Sequence, residues 1–188
     1  MQLFPETRPA DGTVVFDIET QHSFDEVGGR TPEHMAKLQL SLAVLYRYSD
    51  DKYITYLEKD APQLIEELHR ASFIVGFNLL GFDYLVMSRY GKLDPNIATK
   101  TVDMMYHCEK ELGKRPSLNS LAQATLGEGK SADGLEAIRW FREGKMKELE
   151  MYCRQDVEVT RKIYEFGKER GFVHFVRNGA KIKVPATW

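Results

Sequence analysis

The stretch VVFDIET, residues 14–20, places two carboxylates inside an otherwise apolar run. Its β-branched and aromatic side chains favour a buried strand over residues 13–19. Because side chains alternate along a strand, Asp17 and Glu19 are expected on the same face of a sheet. Two adjacent negative charges on a buried strand are costly unless a cation holds them. The stretch therefore predicts a metal site if acidic partners come from elsewhere in the chain; otherwise the strand frays early and both acids lie in solvent.

Turn and cap signals divide the rest of the chain into elements. After a loop over residues 21–30, strands are predicted over residues 40–48, 53–57, 72–77 and 97–103. Helices are predicted from Pro32, from Asp60, from Asp83 to a stop at Gly91, and over residues 117–126, 134–142 and 146–168, with Asp133 and Glu136 as a capping box. The chain is thus predicted to begin with three strands of a meander, to continue with alternating strands and helices, and to end its domain with helices. This order predicts an α/β mixed sheet flanked by helices.

The last residues have a different pattern. Apolar residues alternate with polar ones on both sides of Asn178-Gly179, which predicts a β-hairpin closed by a type I′ turn. We therefore expect a lead-in over residues 1–12, one domain over residues 13–168 and an appended C-terminal β-hairpin over residues 169–188.

Composition limits the classes of function. The chain has 188 residues, 43% of them hydrophobic and 29% charged, which fits one globular domain with a sizeable core. No run has the length and apolarity of a membrane span, and the N-terminus lacks signal-peptide features. Cys108 and Cys153 are too few for a disulfide framework or a zinc site, so we expect reduced thiols in a cytoplasmic protein. A net charge of −2 argues against nucleic-acid binding through one large basic surface, but not against an enzyme that grips phosphates through metal ions.

Acidic partners for the first strand do appear downstream. Tyr152 and Asp156 are spaced i, i+4 on the helix face that also carries apolar residues, so the face is expected to point inward. Asp83 follows the end of a predicted strand, where groups from neighbouring strands meet in an open α/β sheet. Four carboxylates without a His or Cys cluster favour Mg²⁺ or Mn²⁺ over zinc.

Three segments resemble the exonuclease motifs of the DEDD superfamily: FDIET (16–20), GFNLLGFD (76–83) and YCRQD (152–156). A tyrosine four residues before the last aspartate is typical of the DEDDy subgroup. The residues of these three motifs are most similar to those of the proofreading exonuclease domain of family-B DNA polymerases and its stand-alone relatives. The segments SLNSLA (117–122) and LGEGK (126–130) resemble the region that this group has between its second and third motifs, so the resemblance covers residues 13–168.

The resemblance implies an RNase H-like fold with a five-stranded mixed sheet, and removal of nucleotides from 3′ ends as nucleoside 5′-monophosphates. In the family's scheme two divalent cations, Mg²⁺ or Mn²⁺, stabilise an in-line phosphoryl displacement. Carried onto this sequence, Asp17 contacts both ions, Glu19 and Asp156 bind one of them, and Asp83 binds the other. Tyr152 lies beside the attacking water. The chain has no polymerase segment, so we do not expect proofreading in cis, and the hairpin lies outside the resemblance.

Several alternatives remain open at the level of sequence. The expected substrate is a single-stranded or frayed DNA 3′ end, but no residue excludes a 3′–5′ exoribonuclease. A non-catalytic RNase H-fold module that binds nucleic acid or a helicase is disfavoured, because all four acids are present. A protein partner docked through the hairpin is a weaker form of that alternative, and no membrane partner is expected.

Four further residues are candidate substrate contacts, each with a structural alternative. The backbone N–H of Thr20 would meet the terminal sugar, or Thr20 simply ends the strand. Asn78 would hydrogen-bond the substrate or cap the following turn. Phe77 and Phe82 would stack on a terminal base, although core packing is the more common role of Phe. Basic side chains either track a nucleic-acid backbone or form solvated helix faces; they are Lys110, Lys114, Arg115, Lys130, Arg139, Arg142, Lys145 and Lys147.

Overall fold

A computed structural model describes residues 12–129 and 134–188. Its main sheet has five strands in the order β3-β2-β1-β4-β5. The strands are β1 (Thr13–Thr20), β2 (Leu40–Arg47), β3 (Lys52–Leu57), β4 (Phe73–Gly76) and β5 (Thr101–Asp103). The β1–β2 and β2–β3 pairs are antiparallel, whereas β4 is parallel to both β1 and β5. The predicted mixed sheet and its antiparallel meander are confirmed. The predicted lead-in lies outside the described residues, except for Gly12. Lys130 and Asp133 also lie outside them, so the roles predicted for these two residues are not described.

Helices flank this sheet, as predicted. They are α1 (Phe24–Val27), α2 (Pro32–Lys37), α3 (Ala61–Arg70), α4 (Tyr84–Met87), α5 (Met104–Leu112), α6 (Leu118–Leu126), α7 (Gly134–Arg142) and α8 (Met146–Arg170). The Thr31 hydroxyl caps α2 by accepting a hydrogen bond from the backbone N–H of His34. Within the described residues, no helix is both long and apolar enough to cross a membrane.

The core has two parts, one on each face of the sheet. Val14, Phe16 and Ile18 of β1 belong to a buried cluster that includes residues of α2, α3 and α4. Val15 belongs to a second cluster, which includes residues of α5, α6, α7 and α8. The period-2 alternation of β1 therefore turns its odd-numbered residues toward the α8 side.

The C-terminal residues form a second, two-stranded sheet from β6 (Phe172–Arg177) and β7 (Ala180–Pro185). The two residues of its turn, Asn178 and Gly179, have φ values of 51° and 78°, as a type I′ turn requires. Val173, Phe175 and Val184 are buried in the same cluster as the apolar face of α8. The predicted hairpin is thus confirmed, and it packs directly on the helical layer.

Three local predictions were wrong. Residues 97–103 do not form one strand, because residues 97–100 make a 3-10 helix whose Ile97 is buried and whose Ile97 carbonyl accepts a hydrogen bond from the Thr101 hydroxyl. The helix predicted up to Gly91 ends at Met87 and is preceded by a π-helix, Leu79–Asp83. The loop predicted over residues 21–30 contains α1, a single helical turn.

Candidate active site

The acids of β1 face the long helix α8. Asp17 and Glu19 lie on the same side of β1 as Val15, which belongs to the buried cluster that includes residues of α8. Glu19 is 8% exposed and Asp17 is half-buried. The pairing of β1 with β2 shifts register between Glu19 and Thr20, a β-bulge of the kind that often re-aims side chains beside active sites.

Helix α8 contributes groups to the same place. The Cys153 thiol donates a hydrogen bond to the backbone carbonyl of Asp17 at 3.4 Å, and its sulfur lies 3.8 Å from Asp17 Oδ2. Ligand atoms of Asp17, Glu19 and Cys153 all lie within 4.8 Å of one another. Burial, followed by the negative charges of Asp17, Glu19 and Asp156, raises the pKa of the Cys153 thiol. Asp156 therefore lies close enough to interact electrostatically with this cluster.

Asp83 reaches the cluster from the segment that follows β4. It is 2% exposed at the end of the π-helix. Burial and then the negative charge of Asp17 raise its pKa well above the ordinary value; its own backbone N–H and that of Ile18 oppose this shift by hydrogen bonding, while Asp103 adds to it. Its Oδ1 atom is buried and has no hydrogen-bond partner among the described residues. The acids of β1, of the π-helix and of α8 thus come together near the C-terminal end of β1, the central strand of the sheet.

Asp103, which the sequence analysis did not single out, holds the segment that carries Asp83. It ends β5 and is 6% exposed. Its carboxylate accepts hydrogen bonds from the backbone N–H groups of Asn78 (2.8 Å), Leu80 (3.0 Å) and Tyr106 (3.2 Å). The hydrogen bond from Tyr106 makes Asp103 the N-cap of α5. An aspartate between a strand and a helix is the sequence signal that could have identified this residue.

Two glycines let the same segment fold tightly. A Cβ at Gly76 would collide with the side chain of Leu79, and a Cβ at Gly81 would lie 2.5 Å from Asn78 Oδ1. A side chain at either position would therefore displace the side chain of Leu79 or Asn78 in the segment between β4 and Asp83.

A family model for the RNase H superfamily matches residues 14–166. The chain belongs to the RNase H superfamily. The matched residues run from β1 almost to the end of α8, so they include every acid of the cluster. No curated protein matches the sequence. Superfamily membership and the acidic cluster together fit a nuclease that acts on nucleic acid.

The acids of this RNase H superfamily member suit a divalent metal ion. Carboxylate oxygens are the ligands that Mg²⁺ and Mn²⁺ prefer. Asp83 has a raised pKa and a buried oxygen without a hydrogen-bond partner in the part of the chain that the structure describes. A bound cation would lower that pKa and bind that oxygen. Cys153 is a softer group, and in this structure its thiol acts as a hydrogen-bond donor to Asp17.

The remaining candidate residues have different environments. Tyr152 is 6% exposed, and its ring lies edge-to-face with Trp140 of α7 at 5.9 Å. Thr20 is buried, and its hydroxyl donates to the carbonyl of His22 at 3.1 Å. Asn78 has a φ of 70° and a buried Oδ1.

The two phenylalanines lie on opposite sides of the sheet. Phe77 packs against the cluster on the α8 side, whereas Phe82 packs against the other cluster and lies edge-to-face with Phe24 of α1 at 5.9 Å. Both rings are half-buried. They therefore do not form one stacking surface together.

Among the described residues, four of the candidate basic side chains form ion pairs with acids. Arg142 of α7 donates to both carboxylate oxygens of Glu26, at 2.6 and 2.7 Å, and so ties α7 to the loop after β1. Further ion pairs join Arg115 to Glu109, Arg139 to Glu136 and Lys145 to Glu143. This pairing favours the solvated-face interpretation for these residues.

Proposed function

We propose that this protein is a metal-dependent 3′–5′ exonuclease of the DEDDy type. It would remove nucleoside 5′-monophosphates from single-stranded or frayed DNA 3′ ends. The observation that carries the proposal is the approach of Asp17 to Asp83 on one side and to the Cys153–Asp156 face of α8 on the other. Such a gathering of buried acids is costly without cations, and nuclease chemistry uses it.

Asp17, Glu19, Asp83 and Asp156 would hold two divalent cations, Mg²⁺ or Mn²⁺. When bound, such ions generate a nucleophile from water and stabilise the attacking and leaving oxygens. Tyr152 is one helical turn before Asp156, and its hydroxyl would orient the attacking water.

The substrate end would contact residues next to these acids. Thr20 follows Glu19 at the bulge, and its backbone N–H would meet the terminal sugar. Asn78 would hydrogen-bond the last nucleotide. Phe77, which lies on the α8 side of the sheet as Asp17 and Glu19 do, would stack on a base, and Phe82 on the opposite side is the alternative stacking residue.

The test is a degradation assay on matched DNA and RNA oligonucleotides, single- and double-stranded, in Mg²⁺, Mn²⁺ or EDTA. A 5′ label should give a ladder that shortens from the 3′ end, and EDTA should abolish it. The Asp17→Ala variant should be folded and inactive, whereas Glu33→Ala, which removes an exposed acid of α2, should keep the activity of the parent. Equal activity of the Asp17→Ala variant would refute the metal site, and shortening from the 5′ end would refute the polarity. The DNA and RNA arms identify the preferred polymer.

A further inference from the structure

The outer face of the C-terminal hairpin is cationic. Residues 171–188 contain Arg177, Lys181 and Lys183 and no Asp or Glu, in a chain whose net charge is −2. On β7 the lysines alternate with Ile182 and Val184, which face the core. Both lysines are exposed, so their ammonium groups project from the face of the hairpin opposite to Ile182 and Val184.

Aromatic rings share this outer face. The register places His174 opposite Lys183 and Phe172 opposite Pro185. The rings of Phe172 and His174 are 5.1 Å apart, and each lies about as close to Phe166 of α8, at 6.0 and 5.9 Å. The Lys183 ammonium lies 4.0 Å from the centre of the Phe172 ring. Cations and flat rings are therefore interleaved on one surface.

The hairpin is fixed firmly to the helices beneath it. The Thr125 hydroxyl of α6 donates to the His174 carbonyl at 3.2 Å and accepts from the His174 N–H at 3.0 Å. Arg177 Nη2 donates to the carbonyl of Leu112 at the end of α5, at 2.7 Å. The outer face is thus preorganised, which lowers the entropic cost of binding a partner.

We propose that this outer face binds a single strand of nucleic acid. Lys181 and Lys183 contact its phosphates, and the Lys183 ammonium moves from the Phe172 ring to a phosphate so that the ring stacks on a base. Sequence-tolerant single-strand binding uses this combination of cations and rings. The inference deepens the proposed exonuclease function and rests on it for the choice of polymer. Asp156 and Phe166 are ten residues apart on α8, so a strand with its end at the acids must extend about 15 Å to reach the hairpin.

The test measures binding without cleavage. Fluorescence anisotropy of a labelled single strand of about 16 nucleotides is recorded in EDTA over a series of salt concentrations. The Lys181→Gln/Lys183→Gln variant should bind several-fold more weakly, and the negative slope of log K against log salt should become shallower by about 1.4, since each phosphate contact on a single strand contributes about −0.7. A Lys59→Gln/Lys92→Gln control, which removes exposed lysines next to α3 and α4, should match the parent in both quantities.

A ring variant separates stacking from charge. Phe172→Leu keeps an apolar side chain but removes the flat ring, so affinity should fall while the salt slope stays at the parent value. Thermal unfolding of each variant checks that the hairpin stays folded.

Parent-like affinity and salt slope in the double lysine variant would overturn the inference. Because EDTA removes metal from every sample, this result is independent of whether the protein cleaves 3′ ends. Conversely, a protein that binds through the hairpin but releases no nucleotides in the metal assay would refute the exonuclease proposal and leave the binding surface intact.

Discussion

The side chain of Asp103 accepts a 2.8 Å hydrogen bond from the backbone N–H of Asn78. Asn78 has a φ of 70°, in the left-handed region, where a non-glycine residue costs roughly 1–3 kcal/mol unless its surroundings hold it. The second oxygen of Asp103 accepts from the N–H of Leu80 at 3.0 Å. A carboxylate at the end of β5 thus fixes the segment whose last residue, Asp83, belongs to the acidic cluster.

Replacement of Asp103 by Ala should weaken the proposed metal site without removing one of its proposed ligands. Loss of its backbone hydrogen bonds should lower the free energy of unfolding by ~2 kcal/mol or more, because buried N–H groups are left unpaired. We expect exonuclease kcat to fall more than KM rises, and Mn²⁺ affinity, measured by calorimetry, to weaken.

Asp103→Asn is the matched variant, because its amide keeps one acceptor oxygen. It should recover part of the stability and part of the Mn²⁺ affinity. If the folded Asp103→Ala protein bound Mn²⁺ as tightly as the parent, the positioning role would be wrong.

Replacement of Asp83 by Asn should separate stability from function. Burial and the charge of Asp17 raise the pKa of Asp83, so its ionised form destabilises the metal-free fold. In EDTA the parent should therefore lose stability as pH rises from near the ordinary value of 3.8 through the raised folded-state value. Asp83→Asn should abolish activity and weaken this pH dependence. It should also raise the melting temperature in EDTA at neutral pH, by about 2–4 °C for each kcal/mol gained.

Calorimetric unfolding at several pH values checks this expectation. The control is Asp25→Asn, which changes an exposed acid of α1 and should leave the pH dependence unchanged. A variant that melts below the parent in EDTA at neutral pH would show that Asp83 stabilises the metal-free fold instead.

Local signals predicted much of the architecture because they depend on a few neighbouring residues. Alternation in β1 placed Asp17 and Glu19 on one face, and Asn178-Gly179 identified the hairpin turn. The N-cap Thr31 and the residues of α7 were found in the same way. Each of these features is specified by backbone geometry that its own residues favour.

Features that depend on distant contacts could not be predicted in this way. The π-helix before α4 is held by Asp103, more than twenty residues away. The segment after Met87 is fixed by Tyr90, whose hydroxyl accepts from the Leu40 N–H at 2.8 Å and donates to Glu58 at 2.9 Å. Tertiary hydrogen bonds override local helix preference at both places.

Replacement of Tyr152 by Phe should slow turnover and leave the fold intact. The ring is buried against Trp140, and Phe keeps that packing. In the proposed mechanism the hydroxyl orients the attacking water, so its loss should lower kcat by about 10²-fold. Single-turnover kinetics measures this step, while the rise in melting temperature on adding Mn²⁺ should match the parent. Unchanged turnover would exclude Tyr152 from the reaction.

The C-terminal tryptophan should reverse the usual effect of a Gly→Ala substitution in a helix. Trp188 Nε1 donates to the carbonyl of Tyr164 at 3.1 Å, and its indole lies over Gly167 of α8, where a Cβ would collide with it. Gly167→Ala should therefore destabilise the protein by ~1–3 kcal/mol through overpacking, although Ala ordinarily stabilises a helix interior by about 1 kcal/mol relative to Gly. In a Trp188→Ala background the collision is absent, so Gly167→Ala should become stabilising. Urea unfolding of the parent, the two single variants and the double variant measures this change of sign. If Gly167→Ala stabilised both backgrounds equally, the indole would not occupy the surface over Gly167 in solution.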